Sequence, residues 1–220
     1  MKKLLLVLLL ILPCAVFARE YAHDQWSKDI AAFQAEDRAQ MPAPGAVLFV
    51  GSSSIRFWTS IAEDFPGIRT INRGFGGSAL SDATFFADRI VTPYRPRAIV
   101  LYAGDNDLQN GQTPQQVRDD FVAFVTRVRH DLPGVPIAFI AIKPSVARKV
   151  LLPQIREANE YIRTWAATQK KVAYLDVFTP MLDPQGQPRP ELFVQDGLHM
   201  DRAGYDIWVA QVTAWLQAPQ

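Results

Sequence analysis

Cysteine occurs once in the 220 residues, at position 14, so the chain can form neither an internal disulfide nor a thiolate metal cage. Histidine is almost as scarce, with three copies, and no two stand at a ligand spacing. The acids Asp105 and Asp107 alone therefore make a poor case for a catalytic metal. Neither sign of charge dominates: 23 lysines and arginines face 22 acids, for a formal charge of +1. Nothing in that balance suggests a nucleic-acid or anionic-membrane partner, and none is expected. The chain also lacks internal repeats, low-complexity tracts and long linkers, and the proline-rich stretch 180–190 reads as a surface loop.

What is present begins with an export signal. Two lysines, an apolar run from Leu4 to Leu12, and permissive residues up to Ala18 describe a signal peptide cleaved before Arg19. The apolar run is short for a retained anchor, and Pro13 fits badly before a lipid-modified Cys14. Removing residues 1–18 leaves 202 residues, 19–220, enough for one domain with a sizeable core. It takes away Lys2, Lys3 and Cys14 but no acid, so the formal charge moves from +1 to −1. The mature chain is expected to be exported, periplasmic or secreted, without stable membrane insertion. The oligomeric state is left open.

Five apolar, β-leaning runs stand out: 46–50, 68–71, 98–103, 137–142 and 172–177. Between them lie helix-period segments. Ile55, Trp58, Ala62 and Phe65 share one helical face; so do Val117, Phe121, Phe124, Val125 and Val128, and then Ile155, Ala158, Ile162 and Trp165. A first helix surrounds Trp26, Ile30 and Phe33, and Ser81–Ile90 is shorter and less regular. A last helix is announced by Asp201 as N-cap, with Tyr205, Trp208, Val209, Val212 and Trp215 on one face. Strands apolar throughout and alternating with helices predict a parallel sheet covered on both faces. Right-handed crossovers then line up the strands' C-terminal ends on one rim, where ligands bind.

Four polar or glycine-rich clusters fall on that rim: Gly51-Ser52-Ser53-Ser54, Asn72 to Ser78, Gly104-Asp105-Asn106-Asp107, and Asp196-Gly197-Leu198-His199. A serine between a strand end and a helix N-terminus projects into the cleft, although the residues alone leave Ser52, Ser53 and Ser54 as equal candidates. An aspartate three residues before a histidine on a loop can reach round to the imidazole Nδ1–H, leaving Nε2 to take a serine proton. Gly77 can bring its backbone N–H close to an oxyanion, and Asn106 can offer its side-chain amide. His130 closes a helix and reads as structural; His23 has no nameable partner. Gly74-x-Gly76-x-x-Ala79 imitates a dinucleotide fingerprint, but it follows the second strand and lacks the acid expected further on.

In order and content the four clusters resemble the blocks of the SGNH hydrolases, the GDSL-like esterases and lipases. The likeness runs from residue 51 to 199, and Gly51 to Trp58 is similar to the G-S-S-S-I-R-x-W of a bacterial subgroup. It implies a three-layer α/β/α sandwich, flavodoxin-like, with a five-stranded parallel sheet. It places the nucleophile on Ser53, the base and its acid on His199 and Asp196, and the oxyanion donors on Ser53, Gly77 and Asn106. The aspartate usual before the nucleophile is Ser52 here, so the family's hydrogen bonds at that position do not carry over. The activity so implied is serine-dependent hydrolysis of carboxylic esters, with a small ester, a lipid or an acylated sugar as substrate and no cofactor. Arg56, Arg73, Phe75 and Phe193 lie near the expected rim and are candidate substrate contacts, whereas Trp58 reads as core. A carbohydrate O-acetylesterase and a non-catalytic glycan- or lipid-binding module are the alternatives.

Overall fold

A computed structural model describes residues 23–218, so the expected signal segment and the alternative of an anchor at Cys14 lie outside the described residues. The chain folds as a five-stranded parallel sheet between helical layers, a three-layer α/β/α sandwich. In chain order come α1 (Ser27–Ala39), β1 (Val47–Gly51), α2 (Ser53–Arg56), α3 (Ile61–Asp64), β2 (Thr70–Gly74), α4 (Leu80–Phe85) and α5 (Ala87–Ile90). They are followed by β3 (Ala98–Tyr102), α6 (Asp105–Gln109), α7 (Pro114–Asp131), β4 (Ile137–Ile140), α8 (Leu152–Ala167), β5 (Val172–Leu175) and α9 (Arg202–Gln217). The strand order is β2-β1-β3-β4-β5, so the direction of winding reverses between β1 and β3. In such sheets the crevice beyond the strand ends at the reversal is where ligands bind.

The three inner strands are fully buried because nearly every residue in them is apolar, which is what a sheet covered on both faces demands. Alternation splits the strand side chains between two cores. Phe49 and Tyr102 face Trp58, Phe65 and Trp208 of α9, with ring centroids 4.6–5.5 Å apart. Phe139, on the opposite face, meets Phe121 of α7 at 4.8 Å. Asp201 caps α9 as expected, accepting from Gly204 N at 3.0 Å. Among the described residues no helix is long and apolar enough to cross a membrane.

Two expected elements differ, for local reasons. The second strand is Thr70–Gly74 rather than 68–71. Ile68 is still in a turn, its N–H bonded to Phe65 O, and the polar Asn72 and Arg73 continue the ladder opposite Phe49 and Val50. The helix expected through Ile55 and Phe65 is instead two single turns, α2 and α3. The Asn72 side chain takes the Ile55 carbonyl at 2.8 Å, and Trp58 turns inward to bond Asp64 at 2.6 Å, so the backbone between the turns leaves the helical path.

Candidate active site

The four clusters meet at the C-terminal ends of β1, β2 and β3. Gly51 opens the sharp exit from β1: its φ is +136°, and a Cβ there would lie 1.8 Å from Tyr102 O, so only glycine lets the chain pass β3 and turn into α2. The three serines that follow have different fates. Ser52 is fully buried, and Ser54 is buried against Lys143, whose Nζ lies 3.1 Å from its Oγ. Ser53 alone is partly exposed. Its Oγ lies 3.0 Å from His199 Nε2, across 146 residues of sequence.

His199 Nδ1 lies 2.6 Å from Asp196 Oδ2. The other carboxylate oxygen accepts from Leu198 N at 2.8 Å and His199 N at 2.9 Å, so the loop carries its own Asx turn and holds the acid against the ring. Partial burial would raise the Asp196 pKa, but the bonds from the His199 ring and the two backbone N–H groups outweigh it and bring it down to about 2. Asp196 is therefore a carboxylate at every ordinary pH.

Gly77 sits in the loop after β2 with φ +78° and is exposed. Its N–H has no partner among the described residues, and neither does that of Ser53 in the first turn of α2. The Asn106 side chain, on the first turn of α6, donates from Nδ2 to Ser78 O at 3.0 Å, which ties it to the Gly77 loop. A Cβ placed on neighbouring Gly76 would stand 4.0 Å from Ser53 Cβ, so this loop lies directly against the serine. The α6 turn begins at Gly104, φ +113°, where a Cβ would collide with Ile142 at 2.6 Å.

Of the four candidate substrate contacts, only Arg56 is at the rim. It is half exposed, 3.6 Å from Asp29, and its guanidinium passes beside Gly76. Arg73 is a correction: its side chain points away from the rim into a buried cage. Tyr94 Oη is at 2.7 Å, Asp37 Oδ1 at 2.8 Å and the Asn72 carbonyl at 2.9 Å, with the Phe33 ring at 4.8 Å. β2 is an edge strand, and this face of it is closed by α1, which supplies the acid. Phe75 is fully buried between Trp26 and Phe86, and Phe193 is buried where it pairs with Met200. Both are packing residues. Trp58 is core, as expected. His130 closes α7 beside Asp131 at 2.6 Å, and His23 bonds Asp82 at 2.6 Å while stacking on Phe85.

The sequence reading passed over three residues. Phe57, about half exposed, sets its ring perpendicular to the His199 ring at 4.9 Å. Lys143 and Arg148 follow β4 and reach the site from beneath. A lysine ending a wholly apolar run at the same rim was the available signal for the first; nothing local marks the other two. Among the described residues no cluster of three or more potential ligands could hold a metal ion.

Residues 45–207 match the GDSL-like lipase/acylhydrolase family. The chain belongs to that family. Family membership supports ester hydrolysis in general. A search of curated proteins returns no match. Several solved structures share the fold. One is a Streptococcus pneumonia protein provisionally named a platelet activating factor, with TM-score 0.78 and 21% identity, covering 88% of this chain and 93% of that one. A GDSL-like lipase from Bacteroides thetaiotaomicron gives 0.70 and 18%, covering 89% and 97%. An acetylxylan esterase from Geobacillus stearothermophilus gives 0.63 and 11%, covering 81% and 96%. At these identities the likeness concerns the fold. In this family member the hydrogen-bonded Ser53–His199–Asp196 chain and the donor-lined Gly77 loop share one rim.

Proposed function

We propose that this GDSL-like protein is an exported serine hydrolase of carboxylic esters, with Ser53 as nucleophile. The observation that carries the reading is the 3.0 Å separation of Ser53 Oγ and His199 Nε2, with Asp196 fixed on the far side of the ring. The Asp196 carboxylate holds the proton of His199 on Nδ1, so Nε2 is free to accept. Ser53 Oγ attacks the ester carbonyl as His199 takes its proton. The oxyanion that forms is met by the N–H groups of Ser53 and Gly77 and by the Asn106 amide, fixed donors that need no reorganisation. His199 then protonates the departing alcohol, leaving Ser53 acylated. Water, deprotonated by His199, attacks the acyl carbon and frees the acid while the proton returns to Ser53. No step calls for a metal or cofactor.

A sugar acetate is the substrate class that the surroundings favour most among esters. Ser53 opens to the surface beside half-exposed Phe57, an aromatic face on which a sugar ring can stack. The fold-sharing acetylxylan esterase is consistent with that choice. A binding module of the same fold would have no need of a base and its acid bonded in series. The test is a fluorophosphonate probe followed by mass analysis of the peptides. The expected result is one adduct, on Ser53, with loss of p-nitrophenyl acetate hydrolysis. A folded protein that hydrolyses the ester while Ser53 stays unlabelled, or Ser53→Ala with near-native turnover, overturns the reading.

A further inference from the structure

The segment from Lys143 to Arg148, between β4 and α8, touches both halves of the site. Ala147 N donates to Gly197 O at 3.0 Å, inside the loop that carries Asp196 and His199. Arg148 Nη2 donates to Asn106 Oδ1 at 2.8 Å, while Nη1 forms an ion pair with Asp105 Oδ2 at 2.7 Å. Only 11% of the Arg148 side chain is exposed. Asp105 itself is buried between two cations, with Lys143 Nζ at 3.2 Å from the same oxygen. Lys143 is also bonded to Tyr102 Oη at 3.0 Å and Ser54 Oγ at 3.1 Å, which fastens the cluster to the sheet. Burial would raise the Asp105 pKa, but Lys143 and Arg148 outweigh it and keep the carboxyl ionised.

The two contacts of Asn106 fix which way its amide points. A guanidinium has no acceptor, so only Oδ1 can face Arg148; a backbone carbonyl has no donor, so only Nδ2 can face Ser78 O. Nδ2 carries two hydrogens, and one remains for the site. A cation on the amide oxygen also polarises the group and strengthens the N–H as a donor.

We propose that Arg148, clamped by Asp105, is a positioning residue that holds and polarises the Asn106 amide as an oxyanion donor. The inference rests on the reading of Asn106 given above. Asp105 and Asn106 are consecutive residues of α6, so the planar fork of one arginine spans a carboxylate and an amide presented side by side. A lysine ammonium at this position has donors enough but not the fixed planar fork, so it would not hold the amide in this orientation.

The experiment is a double-mutant cycle on p-nitrophenyl acetate, reading kcat, KM and Tm for wild type, Asn106→Ala, Arg148→Met, Arg148→Lys and the Asn106→Ala/Arg148→Met double variant. Loss of a whole oxyanion donor costs roughly 100- to 1,000-fold in kcat, and a misplaced one somewhat less. Arg148→Met is therefore expected to lower kcat about 10- to 100-fold with KM within about 3-fold, and to cost less than about 3-fold more once Asn106 is alanine. Arg148→Lys keeps a charge for Asp105, so it is expected to retain Tm and still lose kcat. It carries the test if Arg148→Met does not fold. Wild-type kcat in either Arg148 variant overturns the inference, and so does an equal loss in both backgrounds, which would mean that Arg148 acts directly or on the fold at large. If Asn106→Ala alone leaves kcat intact, the oxyanion reading of Asn106 fails, and the Arg148 inference fails with it, through a different arm of the same experiment.

Discussion

Replacing Asp196 by asparagine tests the proposed proton path more sharply than deleting the acid does. Oδ1 of Asp196 is held by the N–H groups of Leu198 and His199 at 2.8 and 2.9 Å, both donors. An asparagine in this loop must keep its oxygen toward them, which turns its NH₂ toward His199 Nδ1, now 2.6 Å from Oδ2. A donor facing Nδ1 forces the proton of the neutral ring onto Nε2, and a ring protonated there cannot accept from Ser53. Serine hydrolases lose about 10⁴-fold in kcat from this wrong-tautomer substitution when the acid is buried. The Asp196 side chain is 47% exposed, so water can partly restore the lost interaction. The expected loss is about 10²- to 10⁴-fold in kcat/KM, some 2.7–5.4 kcal/mol of barrier. Asp196→Ala removes the acid but imposes no tautomer, and it also gives up the Asx turn. Asp196→Asn is therefore expected to be at least as slow as Asp196→Ala while unfolding at a higher temperature. The assay is initial-rate hydrolysis of p-nitrophenyl acetate between pH 6 and 9 with a thermal melt of each variant. An Asp196→Asn enzyme within about 3-fold of wild type would show that His199 does not depend on this acid for its tautomer.

Two further predictions concern stability. Asp107 is buried against the chain at α4, accepting from Leu80 N at 3.0 Å. Burial pushes its carboxyl up to about 7, the Leu80 N–H only partly opposing it. Its folded pKa lies above its ordinary value, so the stability it supplies is complete below about pH 4 and is lost as pH rises toward 7. Asp107→Asn keeps the acceptor and removes the titration; melts between pH 4 and 8 are expected to show that decline flattened, and an unchanged profile would refute the assignment. Arg73→Met leaves Asp37 and Tyr94 facing an apolar side chain, for an expected cost of about 2–4 kcal/mol and a Tm lower by roughly 5–15 °C. Turnover measured well below that Tm is expected to stay within about 2-fold of wild type, and a selective rise in KM would return Arg73 to the substrate site.

Much of the architecture is legible from short-range patterns. Wholly apolar runs such as 98–103 can be buried only on two sides, so a parallel sheet between helices follows from them. Asp201 announces α9 because an N-cap is a contact between residues three apart, and Asp196 meets His199 for the same reason. The order of the rim clusters follows once the crossovers share one hand. Arg73, Phe75 and Phe193 defeated the same reasoning. Each stands next to a rim cluster in sequence, but which side of the backbone it occupies depends on strand register and on what covers that face.

Three matters belonged to the tertiary structure alone. Ser52, Ser53 and Ser54 are the same residue type in the same place, and only the arrival of His199 from 146 residues away, with Lys143 beneath Ser54, tells them apart. Arg73 was assigned inward by α1, which precedes it in the chain by more than thirty residues and supplies Asp37. The fork of Arg148 on Asp105 and Asn106 joins the ends of β3 and β4 across the sheet. Local pattern determines which segments must be buried and which residues can cap or pair with near neighbours, because those energies are settled within a few residues. Partners brought together by packing are settled only when the layers close, since that is when each polar group loses its water and must find a partner.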